Sequence, residues 1–342
     1  MHNSIWPPPI IRNLHLELTS LCQAQCPACA RIYDYNPNVD NHLTPKSWTI
    51  EQLNRQLTSS FIKDLKSLLL CGNYGDPLMF NDLASWIETI NDINPDLEIS
   101  IHTNGGIGSE ETWQRLGQQL NKSGKFVKFA LDGLEDTLSI YRRGVSYNKV
   151  IHNAQIFIKN GGRAVWKFLR FSHNSHQEEA AKELSRKLGF YRFEARSAHD
   201  SAADYQNFPS LEKIPRSIQE SFEGISEQIL QSEIFKGIGQ NNSISCKAKN
   251  NSSIYIDSYQ KVWPCCWLSQ SGDLRTRTMR REDFHRKVYD QKIGRDFNNL
   301  NHHSLSEILS HVFFQKNLPQ SWEDNAIKTK KCFPTCLKEC GV

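Results

Sequence analysis

Short apolar segments alternate with stretches of helical period from residue 13 to about residue 196, and this alternation constrains the fold more than any other feature. "NLHLEL" (13–18), "SLLLCG" (67–72), "LEISIHTNGG" (97–106), "KFVKFALDG" (125–133) and "GGRAVWKFLRF" (161–171) read as strands, with "YRFEA" (191–195) as a sixth. Residues 50–65, 81–92, 111–124, 147–162 and 177–190 carry the apolar spacing of amphipathic helices. Such alternation produces βα units and a parallel sheet. Five or six units are too few for a closed eightfold barrel, which leaves an open partial barrel or a doubly wound sheet. In either, a site forms from the loops at the carboxyl ends of the strands. The unusual residues fall there: Cys22, Cys26 and Cys29 after the first strand, 72–77 after the second, 103–106 after the third, Asp132 and Gly133 after the fourth.

The chain has 342 residues and 10 cysteines, and the cysteines are clustered rather than spread. Secreted disulfide scaffolds are short and distribute their cysteines, so tight clusters in a long chain point to metal. The formal charge of +4, from 41 basic and 37 acidic residues, does not by itself call for nucleic acid. No apolar run reaches the roughly 18 residues that span a bilayer, and "MHNSIWPPPIIRN" lacks the apolar centre of a secretory signal. A cytoplasmic location is expected, with no membrane partner and no nucleic acid.

"LTSLCQAQCPACAR" (18–31) raises the question of what three thiols can hold. Structural zinc wants four ligands, and His15, on the preceding strand, is poorly placed to supply one. A [4Fe–4S] cluster on three thiolates leaves one iron open to an exogenous ligand, and that arrangement suits the spacing better than zinc or free thiols.

Cys22-x3-Cys26-x2-Cys29 after a first βα strand resembles the signature of the radical S-adenosylmethionine (SAM) superfamily, and the resemblance covers most of the chain. "YGDP" (74–77) looks like the family's glycine-glycine-glutamate-proline segment, "HTNGG" (102–106) like its ribose-side motif, and 131–144 and 167–180 like the strand-four and strand-five regions of its peptide-modifying branch. The resemblance implies a partial (β/α)6 TIM-like barrel and a SAM-binding [4Fe–4S] cluster on Cys22, Cys26 and Cys29. It also implies SAM contacts from Tyr74, Gly75, Asp76, Thr103 and Asn104; Asp132 is a turn residue or a polar contact near the ribose, and Arg143 reaches the methionyl carboxylate or is solvated at the surface. The family cleaves SAM by one-electron reduction, and the resulting 5′-deoxyadenosyl radical abstracts hydrogen from substrate. Two motifs depart from the family pattern. Ala28 replaces the usual aromatic residue before the third cysteine, and Tyr74 and Asp76 stand where glycine and glutamate are usual.

"CKAKNNSSIYIDSYQKVWPCC" (246–266) with "CFPTCLKEC" (332–340) resembles the auxiliary-cluster extension SPASM or its shortened form, twitch. Six cysteines in place of seven imply one auxiliary [4Fe–4S] cluster on Cys246, Cys265, Cys336 and Cys340, with Cys332 competing for one place; four cysteines also hold zinc. Cys266 adjoins Cys265 and is not expected on the same cluster. The expected division is a core over 1–196, a connecting segment over 197–245 containing a helix at 215–230, and an auxiliary domain over 246–342. That last segment shows little regular core beyond one helix at 304–317, so metal is expected to hold it together.

Other residues carry two readings. Cys71 is a small buried hydrophobe or a hydrogen-atom donor to a substrate radical. His173 and His176 start a helix or form a metal pair. The basic run 274–287 is a solvated loop or a dock for an acidic peptide leader or a phosphate backbone. The resemblance further implies a ribosomally made peptide as substrate, altered by epimerisation, cross-linking or backbone excision; a small metabolite or RNA is the alternative, and an electron carrier is disfavoured because it needs no open iron. Only about a dozen residues precede the first strand, so the N-terminal leader-binding domain is expected to be missing and a separate leader-binding protein to replace it. A flavodoxin or ferredoxin would supply electrons.

Overall fold

The structure, a computed structural model, describes residues 6–29, 31, 44–198, 243–272, 296–328 and 333–342. The chain divides into two compact units, one of Leu16–Ile32 with Pro45–Ile214, the other of Met1–His15, Tyr33–Thr44 and Pro215–Val342. Residues 1–15, placed with the core on sequence grounds, thus group with the C-terminal unit. The connecting segment between 199 and 242 with its helix at 215–230, the basic run 274–287 and Cys332 lie outside the described residues.

Six strands follow the alternation seen in the sequence: β1 (Asn13–Leu16), β2 (Ser67–Leu70), β3 (Glu98–Thr103), β4 (Lys125–Ala130), β5 (Ala164–Arg170) and β6 (Arg192–Ser197). They lie in the order β6-β5-β4-β3-β2-β1, and β2 through β6 pair in parallel. The unit boundary falls within β1. Connecting helices are α1 (Ile50–Gln56), α2 (Ser59–Asp64), α3 (Leu83–Ile93), α4 (Glu110–Gln119), α5 (Leu138–Tyr141), α6 (Tyr147–Lys159) and α7 (Glu178–Lys187). The stretch expected as one helix over 50–65 is two. Thr49 caps the first with a reciprocal Gln52 bond, and Thr58 accepts from the Phe61 amide to start the second. A residue that caps by accepting an amide has left the helix, so the apolar period runs through while the backbone does not.

The strands show why one face builds the core. Leu68, Leu70, Ile99, Ile101, Val127, Phe129, Trp166 and Phe168 are all buried. Phe129 meets Trp113 of α4 at 5.2 Å and Phe157 of α6 at 6.0 Å, and Trp166 meets Phe190 at 5.2 Å. Burying each such ring contributes on the order of 1.5–3 kcal/mol. The alternate residues of β4 and β5 point to the other face; among them Val165 is buried, while Lys128 and Lys167 are only partly buried.

The second unit holds α8 (Lys247–Asn250), the antiparallel pair β7 (Ser253–Ile256) and β8 (Val262–Trp263), α9 (Cys266–Gly272), α10 (Leu305–Ser310) and α11 (Pro334–Cys340). Against expectation it has an apolar core of its own. Phe313, Phe314 and Leu318 are fully buried, Phe297 meets Phe313 at 5.2 Å, and Trp6 meets Phe314 at 6.4 Å and Trp322 at 5.9 Å. The expected helix over 304–317 breaks at His311, whose backbone is extended, and resumes as a π-helical turn over Phe313–Asn317. The break lets both Phe313 and Phe314 face inward.

Candidate functional site

The loop after β1 is pinned at several points before it reaches the thiols. Ser20 N–H donates to the Lys46 carbonyl at 2.8 Å, the Gln25 amide to the Arg143 carbonyl at 2.8 Å, and the Cys29 amide to the Cys26 carbonyl at 3.0 Å. Cys26 is buried, and Cys22 and Cys29 are half-buried. Two nitrogen donors approach the sulfurs: Asn104 Nδ2 at 3.6 Å from Cys22 Sγ, and Arg142 Nη1 at 3.8 Å from Cys26 Sγ. Burial, with the nearby Asp76 charge, pushes the Cys22 thiol up to about 12; burial and Cys26 push Cys29 up to about 11. Without a cation these sulfurs keep their protons.

Asp76 organises the site. Its buried carboxylate accepts from Thr103 Oγ1 at 2.8 Å, from the Asn104 amide at 2.7 Å, from Asn104 Nδ2 at 2.7 Å and from the Leu78 amide at 3.0 Å. One side chain therefore ties the loop after β2 to the loop after β3. Burial raises the Asp76 pKa even against these hydrogen bonds. Asn104 extends the tie to the cysteine loop, accepting from Gln23 Nε2 at 2.7 Å. Thr103, Asn104 and Asp76, all singled out in the sequence, thus meet in one network, with Asp76 serving the protein's own donors.

Glu17, which the sequence reading passed over, is equally buried. Its Oε1 accepts from the Tyr74 amide at 2.7 Å and the Gly75 amide at 3.1 Å. The 72–75 loop lies so close to β1 that a Cβ on Gly75 would stand 1.7 Å from the Thr19 carbonyl oxygen, and one on Gly72 would stand 2.2 Å from Glu17 Oε1. Only glycine fits at either position. Tyr74 itself is buried, with its backbone amide bonded to Glu17.

At the end of β4, fully buried Asp132 accepts from the Leu169 amide at 2.8 Å and pairs with Arg142 Nε at 2.7 Å. Burial alone would lower the Arg142 pKa, but the Asp132 charge and Cys26 outweigh it and raise it. The guanidinium that approaches Cys26 is that of Arg142; its neighbour Arg143 holds the cysteine loop through its carbonyl, which accepts from Gln25. Cys71 follows β2, and burial pushes its thiol up to about 11. Ala28 is exposed. His173 stacks on Phe171 at 5.2 Å, and His176 sits in the turn Ser175–Gln177 that leads into α7.

In the other unit the chain brings Cys246, Cys265, Cys336 and Cys340 together from three distant segments. An isolated bridge joins Ile244 to Gly341, and the Ser245 amide donates to the Cys340 carbonyl at 2.9 Å. Cys246 and Cys340 lie side by side, and their interaction raises the first thiol and lowers the second to about 6; Cys336 also lies close to Cys246. Burial, then the Cys340 charge, push Cys265 up to about 11. Cys266 opens α9 beside it.

Among the described residues no group of three or more His, Cys, Asp and Glu side chains closes on the position of a single metal ion. The donor chemistry of the first trio nevertheless fits an iron–sulfur cluster. It offers three thiols and no carboxylate or imidazole, with an amide and a guanidinium aimed at two of the sulfurs, and hydrogen bonds to thiolate sulfur are what stabilise such clusters. The second set is likewise all thiol.

The strand order and the loops at the strand ends define an α/β partial barrel. Two named structures share it. Streptococcus suis SuiB bound to the precursor peptide SuiA aligns with 83% of this chain and 66% of its own at 17% identity and a TM-score of 0.51. The enzyme anSMEcpe with bound AdoMet aligns with 97% of this chain and 86% of its own at 16% identity and a TM-score of 0.54, and its complex with AdoMet and the Cp18Cys peptide at a TM-score of 0.53. The chain thus spans slightly under two thirds of the SuiB length. No family model matches the chain, and no curated protein does. No helix among the described residues is long and apolar enough to cross a membrane.

Proposed function

We propose that this chain is a radical SAM enzyme that modifies a ribosomally made peptide. The observation that carries the reading is an all-thiol trio on the loop after β1, bonded through Asn104 to the buried Asp76 and through Arg142 to Asp132. Cys22, Cys26 and Cys29 would hold a [4Fe–4S] cluster, and Cys246, Cys265, Cys336 and Cys340 an auxiliary one. The bound cluster supplies the electron that splits the sulfonium of SAM. The chain's own residues do the rest. Arg142 places a buried positive charge beside Cys26, which offsets the negative charge of thiolate ligation. Asp76 and Glu17 hold two loops by their amides, so the shape of the pocket is set before any ligand arrives. The peptide substrate is supported by the likeness to SuiB with its precursor peptide and to anSMEcpe with Cp18Cys.

Anaerobic reconstitution followed by dithionite and SAM tests this reading. Release of 5′-deoxyadenosine is expected, and a well-loaded chain that leaves SAM intact would overturn it. Peptide modification is then read by mass spectrometry on a precursor encoded beside the gene.

A further inference from the structure

We infer that the inner face of β4–β6 binds a carboxylate carried by the substrate, so that the peptide presents an acidic residue beside the carbon that is modified. This deepens the proposed function and rests on it. In a parallel sheet, registered partners share a face. Lys128, Val165 and Arg192 form one row, and Lys167 stands opposite Glu194 in the next, with Arg196 one row further on, opposite Leu169. The opposite face is the apolar one that packs on the helices, through Phe129, Trp166 and Phe168.

The inner face therefore carries four cations and one carboxylate. Glu194 is already taken: Oε2 lies 2.7 Å from Lys128 Nζ and Oε1 2.7 Å from Arg192 Nη2. Lys167 and Arg196 have no ion pair among the described residues. Lys167 is half-buried, and burial holds its amine below the ordinary lysine range. It is registered with Ala130, the last residue of β4, close before Asp132, and feels the charges of Cys71, Arg142, Asp132 and Arg196. A half-desolvated cation with a second cation as neighbour is costly unless an anion answers it. A peptide carboxylate seated on Lys167 and Arg196 answers both at the end of the sheet where the thiols lie.

The test uses the anaerobically reconstituted full chain with two fluorescein-labelled nonapeptide pools, randomised except for a central Glu in one and a central Gln in the other. Anisotropy titration is expected to give about tenfold tighter binding of the Glu pool. That ratio should fall to about one in Lys167→Gln/Arg196→Gln and persist in Lys167→Arg. Should the double variant not fold, as judged by circular dichroism and cluster absorbance, Arg196→Gln alone at its exposed position is expected to reduce the ratio about threefold. Equal binding of the pools by the unaltered chain overturns the inference. So does a preference that survives the substitutions, or a loss of SAM affinity in Lys167→Gln with the ratio intact, which would assign the lysine to SAM. Release of 5′-deoxyadenosine without peptide reads the proposed function separately, so either can fail alone.

Discussion

The two cysteine sets solve one assembly problem in opposite ways. Cys22, Cys26 and Cys29 lie within eight residues on a single loop, and side chains from other strands hold that loop. Cys246, Cys265, Cys336 and Cys340 come from segments far apart, and backbone pairing around Ile244 and Gly341 gathers them. The first arrangement makes ligand proximity cheap and ligand orientation dependent on buried polar groups. The second makes proximity itself depend on tertiary structure. Damage to polar supports should therefore hurt the first site, and damage to packing the second.

The largest effect that separates them is loss of ligands. The triple substitution of Cys22, Cys26 and Cys29 by Ala is expected to abolish 5′-deoxyadenosine release and to lower bound iron from about eight to about four per chain, since each [4Fe–4S] cluster holds four. Iron assay and chromatographed reaction products check it; a fall to zero would mean that the second set does not load independently. Next comes Arg142→Met, which strands Asp132 as a buried unpaired charge. A loss of about 3–5 kcal/mol is expected in urea unfolding, with Arg142→Lys in between because it keeps the charge but not the fork. Asp76→Ala leaves the donors of Leu78, Thr103 and Asn104 without their acceptor and should cost about 3 kcal/mol, with a matching loss of SAM affinity. Gly75→Ala should act in the same direction, because the added methyl cannot coexist with the Thr19 carbonyl.

The smallest effect is the pH dependence of one part-exposed ion pair. The Arg170 guanidinium, bonded to Glu178 through Nε and at 2.7 Å through Nη2, holds that carboxyl below its ordinary value. A depressed carboxylate adds stability that is fully present above its unfolded pKa and lost as pH falls below that value and through the lower folded one. Glu178→Gln should flatten that part of the thermal melting profile, and a profile unchanged by the substitution would show that the pair contributes nothing.

The six strands were legible because period two and period 3.6 are local properties, and the polar cluster of Thr103 and Asn104 stood out at a strand end. Glu17 was not legible. It follows directly on β1 in a segment that alternates like any other, and only the proximity of the 72–75 loop makes its carboxylate an acceptor. Arg142 and Arg143 are adjacent in the sequence, and nothing short of the α5 geometry says which guanidinium turns toward Cys26. The aromatic core of the second unit escaped for a different reason. Trp6 and Phe314 are some three hundred residues apart, so no window along the chain contains both.

The wide separation of the second thiol set also has a timetable. Cys246 leaves the ribosome 90 residues before Cys336, an interval of between about 5 and 20 s at ordinary rates of synthesis. For most of that time the earlier thiol has Cys265 but neither Cys336 nor Cys340, whereas the first trio is complete within about a second of its opening member. A cell that starves for iron, or meets an oxidant, during translation should therefore leave its scar first on Cys246 and Cys265.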